Sequence, residues 1–202
     1  MMKWFFIPSI IGILAIGIFY RSHAYVLPQE VATTRQESVQ TVLPVEKLSV
    51  PDIPVSLSIP SLNVVADIEP VGMDEKGNMD VPTQNTAVAW YQLGYKPGET
   101  GSSVLAGHFD TTTGEPSVFY NLSTIKAGDT ISVTDTEGAV HTYTMESQEV
   151  YVFDGLPLQD IFASSEPLLR LITCEGEFDS VTKNYSHRLV VTARLQPPAK
   201  VL

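Results

Sequence analysis

Cysteine is almost missing from this chain. Cys174 stands alone among 202 residues. A disulfide framework and a paired-cysteine zinc site are thereby excluded. Positive charge is scarce as well. Twelve Lys and Arg face twenty-three Asp and Glu, and the formal net charge is −11. A nucleic-acid binder carries a basic face, so no nucleic-acid partner is expected. Charged residues make up 17% of the chain and hydrophobic residues 44%. That composition suits a folded domain and argues against wholesale disorder. Sustained helical periods and internal repeats are also lacking.

One long apolar run is present. Trp4 to Tyr20 holds seventeen residues without a charge, bracketed by Lys3 and Arg21. Its length is at the short end of the range of about 17–25 residues for a membrane-spanning helix. The sequence predicts a membrane anchor or signal segment over residues 1–21. Ser22-His23-Ala24 keeps a cleaved signal peptide open beside a retained anchor. Lys3 before the run predicts a cytoplasmic start, a single-pass location in the cell membrane and an extracellular body. Residues 22–53 read as an extracellular stalk, because Pro28, Pro44, Pro51 and Pro54 break any helix. Residues 197–202 read as a C-terminal tail.

From residue 54 the pattern becomes strand-like. Val55 to Ile59 alternates apolar and polar side chains, and Pro60 ends the run. Val64–Val71, Ala87–Tyr91 and Ser102–Ala106 follow as strands. Thr130–Thr134 and Val140–Met145 read as a hairpin around Asp135-Thr136-Glu137-Gly138. Gln148–Phe153 reads as a separate short strand. Leu158–Phe162 reads as one helical turn. Leu168–Thr173 and Leu189–Leu195 are the most apolar runs and read as central strands. Many short strands with frequent turns predict an all-β fold, a barrel or sandwich with short helices and loops.

Three residues carry the candidate chemistry. Cys174 follows an apolar strand and precedes Glu175-Gly176-Glu177, which cannot continue a buried strand. The thiol is thus expected at a strand-to-loop edge, where a scaffold presents a reactive group. A small buried hydrophobe is the competing reading. His108 lies in Ala106-Gly107-His108-Phe109-Asp110, where a strand ends at a glycine that permits close backbone approach. A hydrogen-bonded loop histidine competes. Arg188 opens the last strand, either as a salt-bridged cation or as a guanidinium aimed at a developing oxyanion. His141 is expected to be solvated on its hairpin strand. Asp110 reads as a turn cap in preference to an orienter of His108. Two acidic groups, Asp74, Glu75 and Asp80 or Glu175, Glu177 and Asp179, could bind Ca²⁺ through oxygens. Neither has EF-hand spacing, and solvated loops are the favoured reading. A zinc set of His108, Asp110 and Cys174 lacks any short-spaced ligand pair. No cofactor and no metal is expected.

Together, Ala106-Gly107-His108-Phe109-Asp110, Leu171-Ile172-Thr173-Cys174 and Arg188-Leu189-Val190-Val191 resemble the sortase family, over about residues 54–196. Val81-Pro82 to Trp90-Tyr91, Ser117-Val118-Phe119-Tyr120 and Thr173 to Asp179 look most like class F or a neighbouring class. Class F members often carry Gly-Gly after the cysteine, where this chain has Glu175-Gly176. An inward-pointing Glu175 carboxylate would raise the thiol pKa.

The resemblance implies a sortase-like closed β-barrel and a cysteine transpeptidase. Cys174 would be the nucleophile, His108 the general acid and base, and Arg188 the oxyanion partner. The backbone N–H of Glu175 would share the oxyanion role. The implied partners are exported proteins bearing an LPXTG-like C-terminal sorting signal and an amine acceptor on a cell-wall precursor or pilin. Phe153, Leu156, Leu158, Ile161 and Phe162 are candidate walls of the peptide groove, with lid-over-core packing as the alternative. An L,D-transpeptidase does not match, since that family places Ser-His-Gly just before its cysteine. An anchored, non-catalytic β domain that binds peptide or wall polymer remains the second reading. It expects His108, Cys174 and Arg188 to be scattered.

Overall fold

Period-two alternation builds strands only where each finds partners on both sides, and here eight strands close on one another. The computed structural model describes residues 50–197. The expected membrane segment 1–21, the stalk up to residue 49 and the tail from residue 198 lie outside the described residues. The elements are β1 Pro54–Ile59, β2 Val64–Val71, β3 Val88–Tyr91, β4 Gly101–Gly107, β5 Thr130–Asp135, β6 Val140–Val152, α1 Leu158–Phe162, β7 Pro167–Asp179 and β8 Asn184–Leu195. They form a closed barrel in the order β1-β2-β3-β4-β7-β8-β6-β5. β5 pairs back onto β1, so the ring has no free edge. Two neighbouring pairs run parallel, β2 with β3 and β4 with β7. The long β4–β7 crossover carries β5, β6 and α1.

The barrel is filled from inside by one set of alternating residues. Leu57, Ile59, Val88, Leu105, Ile131, Val133, Leu169, Leu171, Leu189 and Val191 belong to this core. The intervening residues of β4 and β8 are buried too, against the outside. Val104 and Val190 pack with Ile161 of α1, joined by Tyr91, Leu156, Phe162 and Ile172. Burial on both faces explains why Leu189-Val190-Val191 in β8 is apolar without alternation. The chain ahead of β1 is tied down by a buried carboxylate. Asp135 accepts hydrogen bonds from the Asp52, Glu137 and Ala139 N–H groups at 3.2, 3.0 and 2.8 Å. These bonds, with that of His141, hold its carboxyl below the usual range although burial opposes them.

Four expectations change. The two strands Val140–Met145 and Gln148–Phe153 are one strand, β6, and a register shift between Met145 and Ser147 absorbs the break in alternation. β7 does not end at Cys174. It continues to Asp179, with Phe178 opposite Tyr185 and Asp179 opposite Asn184. The residues after Cys174 do leave the core, as their polarity demands, but as an exposed two-stranded ribbon. Gly176, at φ +86°, takes up the bulge, where a Cβ would strike Ser186. β8 accordingly starts at Asn184, and Arg188 lies inside it. His141 is not solvated. Its side chain is 11% exposed and its Nε2 lies 3.1 Å from the Asp135 carboxylate.

Candidate active site

The barrel order brings residues 66 positions apart in sequence to one level. β4 and β7 run parallel, with Ala106 opposite Ile172. Their last steps are stitched by the Thr173 hydroxyl, which donates to the Gly107 carbonyl at 2.9 Å. Next in each chain come His108 and Cys174. Across the other edge of β7, Cys174 pairs directly with Arg188. Leu171 and Thr173 are fully buried, so Ile172 and Cys174 face the barrel exterior. On that exterior lies a cleft of about 840 Å³ whose lining includes His108, Ile172, Cys174 and Arg188. The three chemistry-bearing side chains therefore share one hollow. Gly107 is required beside them, since a Cβ there would stand 2.6 Å from the Phe119 ring.

Each side chain has a definite setting. His108 Nε2 is 3.2 Å from the Pro82 carbonyl oxygen. A carbonyl only accepts, so Nε2 carries the proton in this arrangement. The loop bearing Pro82 is fixed in turn by Glu69, which accepts from the Thr83 N–H at 2.9 Å and from the Thr83 hydroxyl. Arg188 donates from Nη1 to the Tyr185 and His187 carbonyls at 3.2 and 2.9 Å, and from Nη2 to Asn184 Oδ1 at 2.6 Å. Its guanidinium lies 4.5 Å from the Phe153 ring centroid. Of five guanidinium N–H donors these bonds use three.

Burial pushes the Cys174 thiol above its ordinary range. Arg188 pulls it down, and Asp110 pushes it further up. The carboxylate acting on the thiol is thus Asp110, not Glu175. Asp110 neither caps its turn nor orients His108. It accepts a hydrogen bond from the Tyr185 hydroxyl. Glu175 pairs with His187, one step beyond Cys174.

Phe153, Leu156, Leu158 and Phe162 line the cleft. Ile161 does not. It is 2% exposed and packs inward against Val104 and Val190, because its position on α1 faces the barrel. The β2–β3 loop supplies a further wall, with Met73, Met79, Val81 and Pro82. Sequence reading missed this wall, as well as Pro82 and Asn184 as partners of His108 and Arg188. No local signal marks them, because only strand register brings them near. Among the described residues, no three His, Cys, Asp or Glu side chains converge as a metal site. Asp74 is engaged by the Lys76 and Asn78 N–H groups, and Asp179 by that of Val181.

Known proteins share this barrel fold. The chain superposes on sortase A from Corynebacterium diphtheriae with a TM-score of 0.58 at 22% identity, covering 76% of this chain and 65% of that one. Sortase C-1 from Actinomyces oris gives 0.56 at 27% identity, covering 71% and 75%. Sortase C1 from Streptococcus agalactiae, in complex with MTSET, gives 0.56 at 23% identity, covering 73% and 71%. This chain thus spans just under two thirds of the Corynebacterium enzyme. No curated protein matches significantly. The Sortase domain family matches residues 57–196, and these hold every strand from β2 to β8 together with the cleft. On that match the chain belongs to the sortase family, whose members are cysteine transpeptidases.

Proposed function

We propose that this chain is a membrane-anchored sortase that cleaves an LPXTG-like signal and passes the acyl group to an amine. The observation that carries the reading is the convergence of His108, Cys174 and Arg188 on one cleft of a sortase barrel. The non-catalytic alternative expects those three side chains apart.

The chemistry follows from the setting. The reactive form of Cys174 is the thiolate, which its burial disfavours and the Arg188 charge favours. Thiolate attack on the Thr carbonyl of the signal gives a tetrahedral oxyanion. Arg188, with N–H donors to spare, and the Glu175 N–H stabilise that charge. His108 gives a proton to the leaving amine, and a thioacyl intermediate remains on Cys174. Neutral His108 then takes a proton from the incoming amine as it displaces the sulfur. Phe153, Leu156, Leu158 and Phe162 supply the apolar wall for the signal's side chains.

The apolar run 4–20 supports the anchor and the extracellular placement of residues 54–196. The reading as class F or a neighbouring class rests on Val81-Pro82 to Trp90-Tyr91, Ser117 to Tyr120 and the Thr173 to Asp179 segment. The test is mass spectrometry of the protein after incubation with a library of LPXTG-type peptides. An acyl adduct on Cys174 is expected, absent from Cys174→Ala. Peptide cleavage that survives Cys174→Ala would overturn the reading.

A further inference from the structure

Asp110 sits oddly for a residue next to a nucleophile. Its negative charge works against the Cys174 thiolate. A group that hinders the first half-reaction points to a use in the second. Its surroundings suggest that use. Four rings form a connected cluster that begins at its neighbour Phe109 and includes its hydrogen-bond partner Tyr185. Phe109 lies 4.8 Å from Tyr120 and 5.6 Å from Tyr185 between centroids, and Tyr185 lies 5.2 Å from Phe178. Tyr120 and Phe178 are 40% and 52% exposed, so a ligand can reach them. The Tyr185 hydroxyl donates to the Asp110 carboxylate, and Asp110 is held in a bridge with Pro116. None of these residues lines the cleft. Exposed aromatic faces beside a carboxylate attract a cation. An amine acceptor at neutral pH is an alkylammonium.

We propose that Asp110, Tyr185, Phe109, Tyr120 and Phe178 dock the acceptor as a lysine-like ammonium, its alkyl stem lying on the rings. This inference rests on the transpeptidase reading. The cleft takes the acyl donor, and this patch takes the acceptor. The bound ammonium gives one proton to water. The free amine then attacks the thioester carbon, a C–N bond forms and the C–S bond breaks. Cys174 leaves as thiolate, and the second amine proton passes to His108.

The test is the ratio of aminolysis to hydrolysis. Both branches drain one thioester, so the ratio is insensitive to how fast that thioester forms. An LPXTG-type peptide serves as donor and Nα-acetyl-lysine methylamide as acceptor, with products separated by chromatography. Asp110→Asn is expected to lower the ratio about tenfold, the loss of one charged contact. Tyr185→Phe is expected to lower it by a smaller factor. Hexyltrimethylammonium, a cation that cannot react, is expected to lower the ratio in the unaltered protein, and this arm needs no variant to fold. A ratio unmoved in Asp110→Asn, or unmoved by hexyltrimethylammonium, overturns the site while the transpeptidase reading stands. Equal use of triglycine overturns the lysine-like stem. A protein that forms no thioester on Cys174 overturns both the parent reading and this one.

Discussion

β7 and β8 are two regions in one hairpin. Below Cys174 they are barrel staves. Leu169, Leu171, Leu189 and Val191 are fully or nearly fully buried, and their neighbours pack under α1. Above Cys174 the same two strands become an exposed ribbon, bulged between Glu175 and Phe178. The lower part fixes position and the upper part offers surface. Cys174 and Arg188, paired across the seam, take rigidity from one side and access from the other. A reactive thiol deeper in the staves would be sealed, and one further out would lose its placement against His108.

Substitutions should separate the two regions. The largest effect is expected at the seam. Cys174→Ala should remove acyl-enzyme formation, a loss on the order of 10⁴-fold or more, while the melting temperature stays within about two degrees. Arg188→Lys keeps the charge but not the planar fork. It should cut kcat/KM about 10²–10³-fold in steady-state peptide assays. In the staves, Leu171→Ala should cost about 2–5 kcal/mol in urea unfolding, the toll of a core cavity. In the turn that closes the ribbon, Val181→Ala should change stability by less than about 0.5 kcal/mol, since that residue is 87% exposed. A comparable loss at both positions would erase the distinction.

The smallest effect sharpens it. The Cys174 thiol lies above its ordinary range, first through burial. Its alkylation rate should therefore keep climbing with pH beyond the range of an exposed thiol, about tenfold per unit below its pKa. Asp110→Asn should move that profile to lower pH, and Arg188→Met to higher pH. Iodoacetamide kinetics across pH 6–10 read both shifts. Tyr185, pushed up to about 12 by burial and Asp110, stays a proton donor throughout.

Much of this was legible in the sequence. Alternation at Val55–Ile59 and the mostly apolar runs at 168–173 and 189–195 announced an all-β body with buried central strands. The break in polarity after Cys174 marked the seam, though not its form. Polarity reports where a chain leaves the core, and it does not report whether hydrogen-bond pairing stops there. The same limit hid the join within β6, where a bulge resets the alternation. Partners set by register left no local trace either. Asp110 meets Tyr185 75 positions away, and His108 meets Pro82 26 positions away. His141 looked solvated because its strand alternates. Its carboxylate partner, Asp135, is buried behind the hairpin turn.

The parallel contact of β4 with β7 has a consequence for timing. The thiol and the imidazole lie on neighbouring staves whose connection includes β5, β6 and α1, so closing that loop comes at a high entropic cost. A chain still emerging or only partly collapsed holds Cys174 without His108 beside it. Hydrolytic competence should thus arrive late, with the final closure of the ring, and a refolding experiment should see native fluorescence and peptide turnover appear together.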